Sequence, residues 1–476
     1  MKALPNILLV VCDTLGAKHM SLYGYPKKTT PNLEKMVKED NFVIYKMCFS
    51  PSPWTVPSHV SLFTGLYPSE HGVDGLNMFM PSNIITFTEI LKATGYYTFG
   101  FSCNSLICDF FGFSKGFDKF YEMWNLFAEN NNFYDKLKIN GTSLEKFKFL
   151  ITKALNIKNN TLFDYKEIVK HLFLLFSNVF FKQLKPVSKN ATFFTSKTIK
   201  KIMKLLETII REKKPFFIFV NLMQTHDKYN PPKTYRNIFV RENKIYEKKH
   251  RITDEYDHYA KKPFEIDYLE YLTGLYDQEI LFLDTMINKL YIFLKSKEIW
   301  NNTLFIITSD HGELFGEHGH IHHLFTTYNE LIHIPLIIKY PREIKIENGE
   351  NFDLVQLNDI YSTILDIINA PYPKPESSNS LLSPEKRRIV ISELLDINFK
   401  IEACLKRNPK FDVKIYPTIA SEVSIINKNL LKFIKRNNQY HELYDLQKDF
   451  YEENNLLTKN TFNKEKIEEI LKKEFI

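Results

Sequence analysis

Thr303-Leu304-Phe305-Ile306-Ile307-Thr308, followed at once by Ser309-Asp310-His311, is the stretch that decides the fold. Its apolar centre shows no polar alternation, which marks a strand buried on both faces, as in a parallel sheet covered by helices on either side. Two further runs repeat the design. Ile7 to Val11 leads into Asp13, and Phe216 to Asn221 leads to His226. In an open α/β sheet the functional crevice lies beyond the carboxyl ends of the strands. Three strands that each run into ionisable residues therefore predict one shared site.

Between these runs the periodicity turns helical. Thr30 to Glu39 opens with Pro31 after a Thr cap, Thr86 to Thr94 stops at Gly95, and Tyr276 to Lys295 carries apolar residues at helical spacing. A further strand is expected over Tyr97 to Ser102. Strands alternating with helices make the class α/β. The stretch 121–206 has Asn- and Lys-rich pieces framing helical segments and is expected to be an insertion within a catalytic domain covering 1–380. From 381 to 476 the character changes. Short strands at Ile389 to Ile391, Ile419 to Val423 and Leu430 to Ile434, then a charged helix from about Lys464, predict a smaller α+β subdomain.

A hydrophobic fraction of 44% over 476 residues excludes a disordered chain. The net charge of +7 is the small difference between 63 basic and 56 acidic residues, so no concentrated field marks a nucleic-acid binder. The five cysteines, Cys12, Cys48, Cys103, Cys108 and Cys404, form no Cys-x-x-Cys pair, and their odd number argues for a reducing compartment, with the cytoplasm the simplest home. Ile7 to Cys12 is too closely bounded by Pro5, Asn6 and Asp13 to be a leader, and His171 to Phe181 is too short to span a bilayer. No integral membrane segment is expected.

The chemistry centres on Trp54-Thr55-Val56-Pro57-Ser58-His59-Val60-Ser61-Leu62-Phe63-Thr64-Gly65. Thr55 reads as the N-cap of a helix with Pro57 in its first turn and Val60 and Phe63 turned to the core. The open N–H groups and positive end of such a helix favour an anion, including a transferring phosphoryl or sulfuryl group. Asp13, Asp310 and His311 add two carboxylates and an imidazole, a donor set suited to Mn²⁺, Zn²⁺, Mg²⁺ or Ca²⁺. A metal touching Thr55 would make its hydroxyl a nucleophile.

The ordered pieces Asn6 to Asp13, Tyr23-Gly24-Tyr25 with Thr30-Pro31-Asn32, and Thr55 to Gly65 with Tyr67-Pro68-Ser69-Glu70-His71-Gly72 begin a longer pattern. Gly95-Tyr96-Tyr97-Thr98, Phe216 to Pro232, Thr303 to Gly319, Ile334-Pro335-Leu336-Ile337 and Glu442-Leu443-Tyr444-Asp445-Leu446 complete it. In this order the sequence resembles the sulfatase family of the alkaline phosphatase superfamily. The resemblance implies a large mixed, mostly parallel sheet flanked by helices. It also implies one divalent metal held by Asp13, Asp310 and His311, with Thr55 as a nucleophile that touches it, and His226 as the histidine that contacts the ester. Where the family often has a lysine, about a dozen residues after the Asp-His pair, this chain has His322 and His323, and His323 is read as the acid or substrate contact. His59, Asn77, Asn104 and His322 are read as substrate contacts. His71 is read as a brace for the nucleophile helix, and His318 and His320 as surface residues of a His-rich loop.

The departures bear on the reaction. Sulfatases place a Cys or Ser where Thr55 stands, for oxidation to formylglycine, and an Arg where His59 stands; Thr cannot become that aldehyde, so no formylglycine is expected. Phe101-Ser102-Cys103-Asn104 replaces a Gly-Lys-x-His element, and Thr14 and Gly16 replace a second metal-binding Asp and a frequent Arg. The reading is thus a metal-dependent hydrolase of phosphate or sulfate esters acting through Thr55, with a phosphoester favoured on chemistry. The substrate is a small anionic ester, free or carried on a glycan or lipid. Three alternatives share these residues: an arylsulfatase-like sulfuric ester hydrolase, a transferase passing a phosphoryl-linked group to a glycan or lipid acceptor, and a non-catalytic anion-binding member. Oligomeric state has no signature in the sequence.

Overall fold

The computed structural model describes residues 4–75, 77–124, 191–253, 255–260, 264–412 and 416–457. Its centre is an eight-stranded sheet. In chain order its strands are β1 (Asn6–Cys12), β2 (Phe42–Phe49), β3 (Tyr97–Ser102), β4 (Lys119–Glu122), β5 (Phe216–Leu222), β6 (Thr303–Thr308), β9 (Leu336–Lys339) and β10 (Gly349–Gln356). The spatial order is β10-β2-β9-β6-β1-β5-β3-β4. β1 lies parallel between β5 and β6, with Leu8 opposite Ile218 on one side and Phe305 on the other. Every residue of these three strands is buried, the result expected of apolar runs without alternation. β9 runs antiparallel to both β6 and β2, so the sheet is mixed but mostly parallel.

The three predicted strands are thus nearest neighbours, and their carboxyl ends bring Asp13, His226 and Asp310 to one edge. The helices expected near 30–39 and 86–94 are Pro31–Glu39 and Phe87–Ala93, the second closed by a capping box between Thr86 and Glu89. The helix expected from Tyr276 begins ten residues earlier and runs Ile266–Lys295, because its polar opening turns still bury Tyr268, Tyr271 and Leu272. Of the expected insertion, residues 125–190 lie outside the described residues; Lys119–Glu122 is β4 and Ala191–Ile209 is a helix. The charged helix expected from Lys464 also lies outside them.

Two short strands, β7 (Leu314–Phe315) and β8 (Ile321–His322), form a separate ribbon. The C-terminal part is a four-stranded antiparallel sheet of β11 (Ile389–Leu394), β12 (Glu422–Asn427), β13 (Leu431–Arg436) and β14 (Glu442–Asp445), with a helix at Asn398–Arg407. It buttresses the site from behind. Ser52 Oγ donates to Glu393 O at 3.0 Å, Glu393 N donates to Pro51 O at 2.9 Å, and Ser69 N donates to Glu393 Oε2 at 2.7 Å, which anchors the loop leading into Thr55. The fully buried Arg436 pairs with Glu422 at 2.6 Å and Glu442 at 2.9 Å. Glu422 also accepts from Thr327 Oγ1 at 2.7 Å and so fixes the segment after His323. All five cysteines are buried and none forms a disulfide, and no helix among the described residues is long and apolar enough to cross a membrane.

Candidate active site

Thr55 begins the helix Thr55–Thr64, all of whose residues are buried. It is the first helical residue and not the cap: Trp54, in extended conformation, holds the cap position, and no side chain caps the helix. The Thr55 hydroxyl is therefore not spent on its own helix. Oγ1 lies 3.3 Å from His311 Nε2. Because Pro57 has no N–H and Ser58 N reaches Trp54 O at 3.4 Å, the open amides at this helix mouth are those of Thr55 and Val56.

His311 Nδ1 donates to Gly312 O at 2.9 Å, which leaves Nε2 as the nitrogen facing Thr55. The tight passage here requires glycine: a Cβ at Gly312 would come 2.1 Å from Glu330 O. Asp310 accepts from Thr14 N at 3.2 Å and from its neighbour's amide, His311 N, at 3.0 Å, both through Oδ1. Asp13 Oδ2 accepts from Asn104 Nδ2 at 2.7 Å and Asn221 Nδ2 at 3.1 Å. The other oxygens, Asp13 Oδ1 and Asp310 Oδ2, are buried with no hydrogen-bond partner.

Two carboxylates so placed repel each other. Burial, then the charge of Asp13, pushes the Asp310 carboxyl well above the ordinary range. No described Lys or Arg pairs with either acid. One ligand atom from each of Asp13, Asp310 and His311 can be chosen so that all lie within 4.8 Å of one another. Orphaned oxygens from two acids beside an imidazole nitrogen that meets only the Thr55 hydroxyl at hydrogen-bond distance are the donors a divalent cation needs, so the residues fit the metal that the sequence implies. Burial lowers the His311 pKa to about 4, which keeps Nε2 unprotonated and able to ligate.

Thr14 has φ 60°, a strained conformation for a β-branched residue. It is held by Oγ1 donating to Thr225 O at 2.6 Å and by Tyr276 OH donating to Thr14 O at 2.7 Å. Its side chain thus serves the backbone turn, and its amide serves Asp310.

His59 stands behind Thr55, not on an open wall. It is fully buried, with Nδ1 donating to Thr55 O at 2.9 Å and Nε2 accepting from Asn221 Nδ2 at 3.3 Å, so both ring nitrogens are occupied and the expected substrate contact becomes a support. Asn104 is a support too, its Nδ2 on Asp13 and its Oδ1 accepting from Leu106 N at 2.8 Å. Asn77 spends its amide in a local turn, donating to Gly72 O at 2.9 Å, and is not brought to the cluster by any hydrogen bond among the described residues. His322, buried at φ 61°, lies 4.0 Å from Glu313.

His226 and His323 complete the group, with ring centroids 5.3 Å apart, and the His323 ring is 4.5 Å from that of His311. His226 Nδ1 donates to Asp227 O at 2.6 Å and His323 Nδ1 to Glu313 Oε1 at 3.0 Å. Burial, reinforced by His311 and His226, lowers the His323 pKa well below its usual value. Lys400, from the C-terminal helix, donates to Leu324 O at 2.7 Å and lies 5.2 Å from the Trp54 ring, adding a cation that no motif announced. His71 meets the helix Thr55–Thr64, its Nε2 3.0 Å from Ser61 Oγ. His320 and His318 are not loose surface residues. His320 is buried between Tyr259 OH at 3.1 Å and Thr418 Oγ1 at 2.8 Å, and His318 stacks on Tyr328 at 3.8 Å while reaching Glu330 at 3.3 Å.

The loop carrying His226 is pinned at both ends by Glu279, which accepts from Asn230 N at 2.6 Å and from the Gln224 side-chain amide. Burial pushes the Glu279 pKa up to about 8. A folded pKa above the unfolded one gives stability that is complete below the ordinary carboxyl value of 4.5 and lost as pH rises through about 8. Thermal unfolding at a series of pH values is expected to show that loss, at most on the order of 1.4 kcal/mol per pH unit. Glu279→Gln should flatten the slope; an unchanged slope would assign it to another group.

Comparison with known proteins agrees with this architecture. The Sulfatase family model matches residues 5–370, and the model for the N-sulphoglucosamine sulphohydrolase C-terminal region matches residues 316–476. Human iduronate 2-sulfatase is 21% identical over 482 residues, spanning 94% of this chain and 76% of that protein. Dog (Canis lupus familiaris) arylsulfatase K is 32% identical over 188 residues, 37% of this chain and only 32% of that protein. The phosphonate monoester hydrolase of Agrobacterium radiobacter has the same fold, with a TM-score of 0.63 at 15% identity, covering 95% of this chain and 91% of its own. A protein solved with its substrate D-glucosamine-2-N,6-O-disulfate gives 0.63 at 17% identity, covering 98% and 96%. With the family model matching most of its length, the chain belongs to the sulfatase family, whose members are hydrolases acting on ester bonds.

Proposed function

We propose that this chain hydrolyses phosphate esters, with Thr55 as the nucleophile and one divalent ion held by Asp13, Asp310 and His311 Nε2. The observation that carries the reading is the Thr55 hydroxyl 3.3 Å from His311 Nε2, at a helix mouth, beside two buried acids with unused oxygens. A bound divalent ion would lower the hydroxyl pKa of Thr55 and offset charge on the transferring group.

Thr55 Oγ bonds to phosphorus as the ester P–O bond breaks, and the hydroxyl proton passes to a free Nε2 of the histidine pair, His226 and His323, whose Nδ1 atoms are held by Asp227 O and Glu313. The departing alkoxide then takes that same proton from the histidine pair, whose rings adjoin His311. Water then displaces Thr55 Oγ from phosphorus, giving up a proton to the histidine pair that returns to Thr55 Oγ and restores the hydroxyl. The amides of Thr55 and Val56 point at the anion throughout. His59, Asn104 and Asn221 hold the nucleophile and Asp13 in register without touching the ester.

A second reading, sulfate ester hydrolysis with an unmodified threonine, is favoured by relatives that include iduronate 2-sulfatase and arylsulfatase K. Fold neighbours described with sulfated sugars and as phosphonate monoester hydrolases make a glycan-borne or a small ester equally open to assay. The purified protein, loaded in turn with Mn²⁺, Zn²⁺, Mg²⁺ and Ca²⁺, should be given aryl phosphate monoesters, phosphodiesters, phosphonate monoesters and aryl sulfates. Turnover of a phosphorus ester at least about ten-fold above the matched sulfate is expected. A preference for sulfate would select the second reading, and silence toward every ester with every ion would end both.

A further inference from the structure

We infer that Glu313 is a positioning residue for His323, itself held by Tyr229, and that this carboxylate–imidazole pair fixes the working nitrogen of the site. The inference rests on the function proposed above and adds to it a residue that no motif reading singled out.

The pairing is built by the β7–β8 ribbon. Leu314 lies opposite His322 and Phe315 opposite Ile321, so the next step of the same antiparallel register sets Glu313 opposite His323. There the His323 Nδ1–H donates to Glu313 Oε1 at 3.0 Å. The second oxygen, Oε2, accepts from Tyr229 OH at 3.1 Å. Tyr229 comes from the loop that carries His226 and is itself fixed by stacking on His250, with ring centroids 5.7 Å apart and planes 13° from parallel. One carboxylate therefore ties together the two chain segments that deliver His226 and His323.

The physical consequence concerns tautomer and direction. An imidazole whose Nδ1–H is given to a carboxylate carries its lone pair on Nε2, and its ring plane is fixed by the bond. Glu313 is 2% exposed and His323 8%, so water does not compete freely for the contact. His323 Nε2 has no hydrogen-bond partner among the described residues, and the ring lies between those of His311 and His226. Glu313 thus presents Nε2 to the place where the ester oxygen must exchange its proton. Without the carboxylate the ring could turn over and offer the wrong nitrogen.

The test is a double-mutant cycle on the metal-loaded full chain. Glu313→Gln, close in shape, should lower kcat about ten- to a hundred-fold with KM, metal content and unfolding temperature near wild type. Tyr229→Phe should cost less, under about ten-fold. In a His323→Ala background both losses should vanish, because a residue acting only through His323 has nothing left to position. Full kcat in Glu313→Gln, or an equal loss with and without His323, would overturn the proposal. Nitrogen NMR of the histidine side chains reads the same point without turnover. The wild-type protein should show His323 protonated at Nδ1, a signature lost or mixed in Glu313→Gln; protonation at Nε2 in the wild type would overturn the proposal even if hydrolysis is confirmed. A wild-type chain that turns over no ester but shows the Nδ1 tautomer would defeat the function reading while leaving the positioning intact.

Discussion

Thr55→Ala is expected to reduce kcat by about a thousand-fold or more, while the variant folds and binds its divalent ion. The hydroxyl makes a single described hydrogen bond, to His311 Nε2, and does not cap its helix, so its removal leaves no buried partner stranded except a nitrogen that the ion would occupy. Stability should change by less than about 1 kcal/mol. Thr55→Ser keeps the nucleophilic oxygen and loses only a methyl group, so most activity should survive. Acid quenching during turnover should trap the phosphoryl group on Thr55, readable as added mass on the 54–65 peptide. Full activity in the Ala variant would end the mechanism.

The second large effect is at the acids. Asp310→Asn should abolish tight binding of the divalent ion and with it turnover, as seen by metal analysis and by calorimetric titration. The metal-free variant should at the same time be more stable than metal-free wild type, by roughly 1–3 kcal/mol at neutral pH. The reason is geometric. Asp13 Oδ1 and Asp310 Oδ2 are buried without a hydrogen-bond partner, and the two acids with His311 offer ligand atoms within 4.8 Å of one another, so without an ion two carboxylates repel in a dry space. The sign is consistent: the Asp310 pKa is raised in the folded chain, so metal-free stability is greatest at low pH and falls as pH rises through that value. A metal-free Asn variant less stable than wild type would mean that these acids serve the fold and not an ion.

Some of this arrangement was written plainly in the chain. β1, β5 and β6 are continuous apolar runs because helices cover both faces of the sheet, and a strand with no solvent side leaves an unmistakable mark. The edge strand β10 left none: Gly349, Glu350 and Phe352 are exposed and Asn351 and Asp353 half-buried, so no apolar buried run marks its first five residues. The helix from Ile266 was legible only from Tyr276 onward, where its buried face becomes continuous. Thr55, Asp13, Asp310 and His311 stood out because each follows a strand or opens a helix within a specific motif. The supports did not stand out as supports: His59 and Asn104 read as substrate contacts and Asn221 as the end of a strand. Asn104 and Asn221 reach Asp13 across 91 and 208 residues, and an amide at such a separation has no pattern to betray its partner.

The sequence by itself determined the α/β class, the family, and which four residues gather at the carboxyl edge of the sheet, because local hydrophobicity and motif order are properties of the chain alone. Only the tertiary structure decided what the neighbouring polar groups do. It turned His59 from a substrate contact into a buried support, moved Thr55 from cap to first helical residue, and joined Glu313 to His323. Hydrogen-bond partners, tautomers and orphaned oxygens depend on what burial removes from water, and burial is a property of the folded whole.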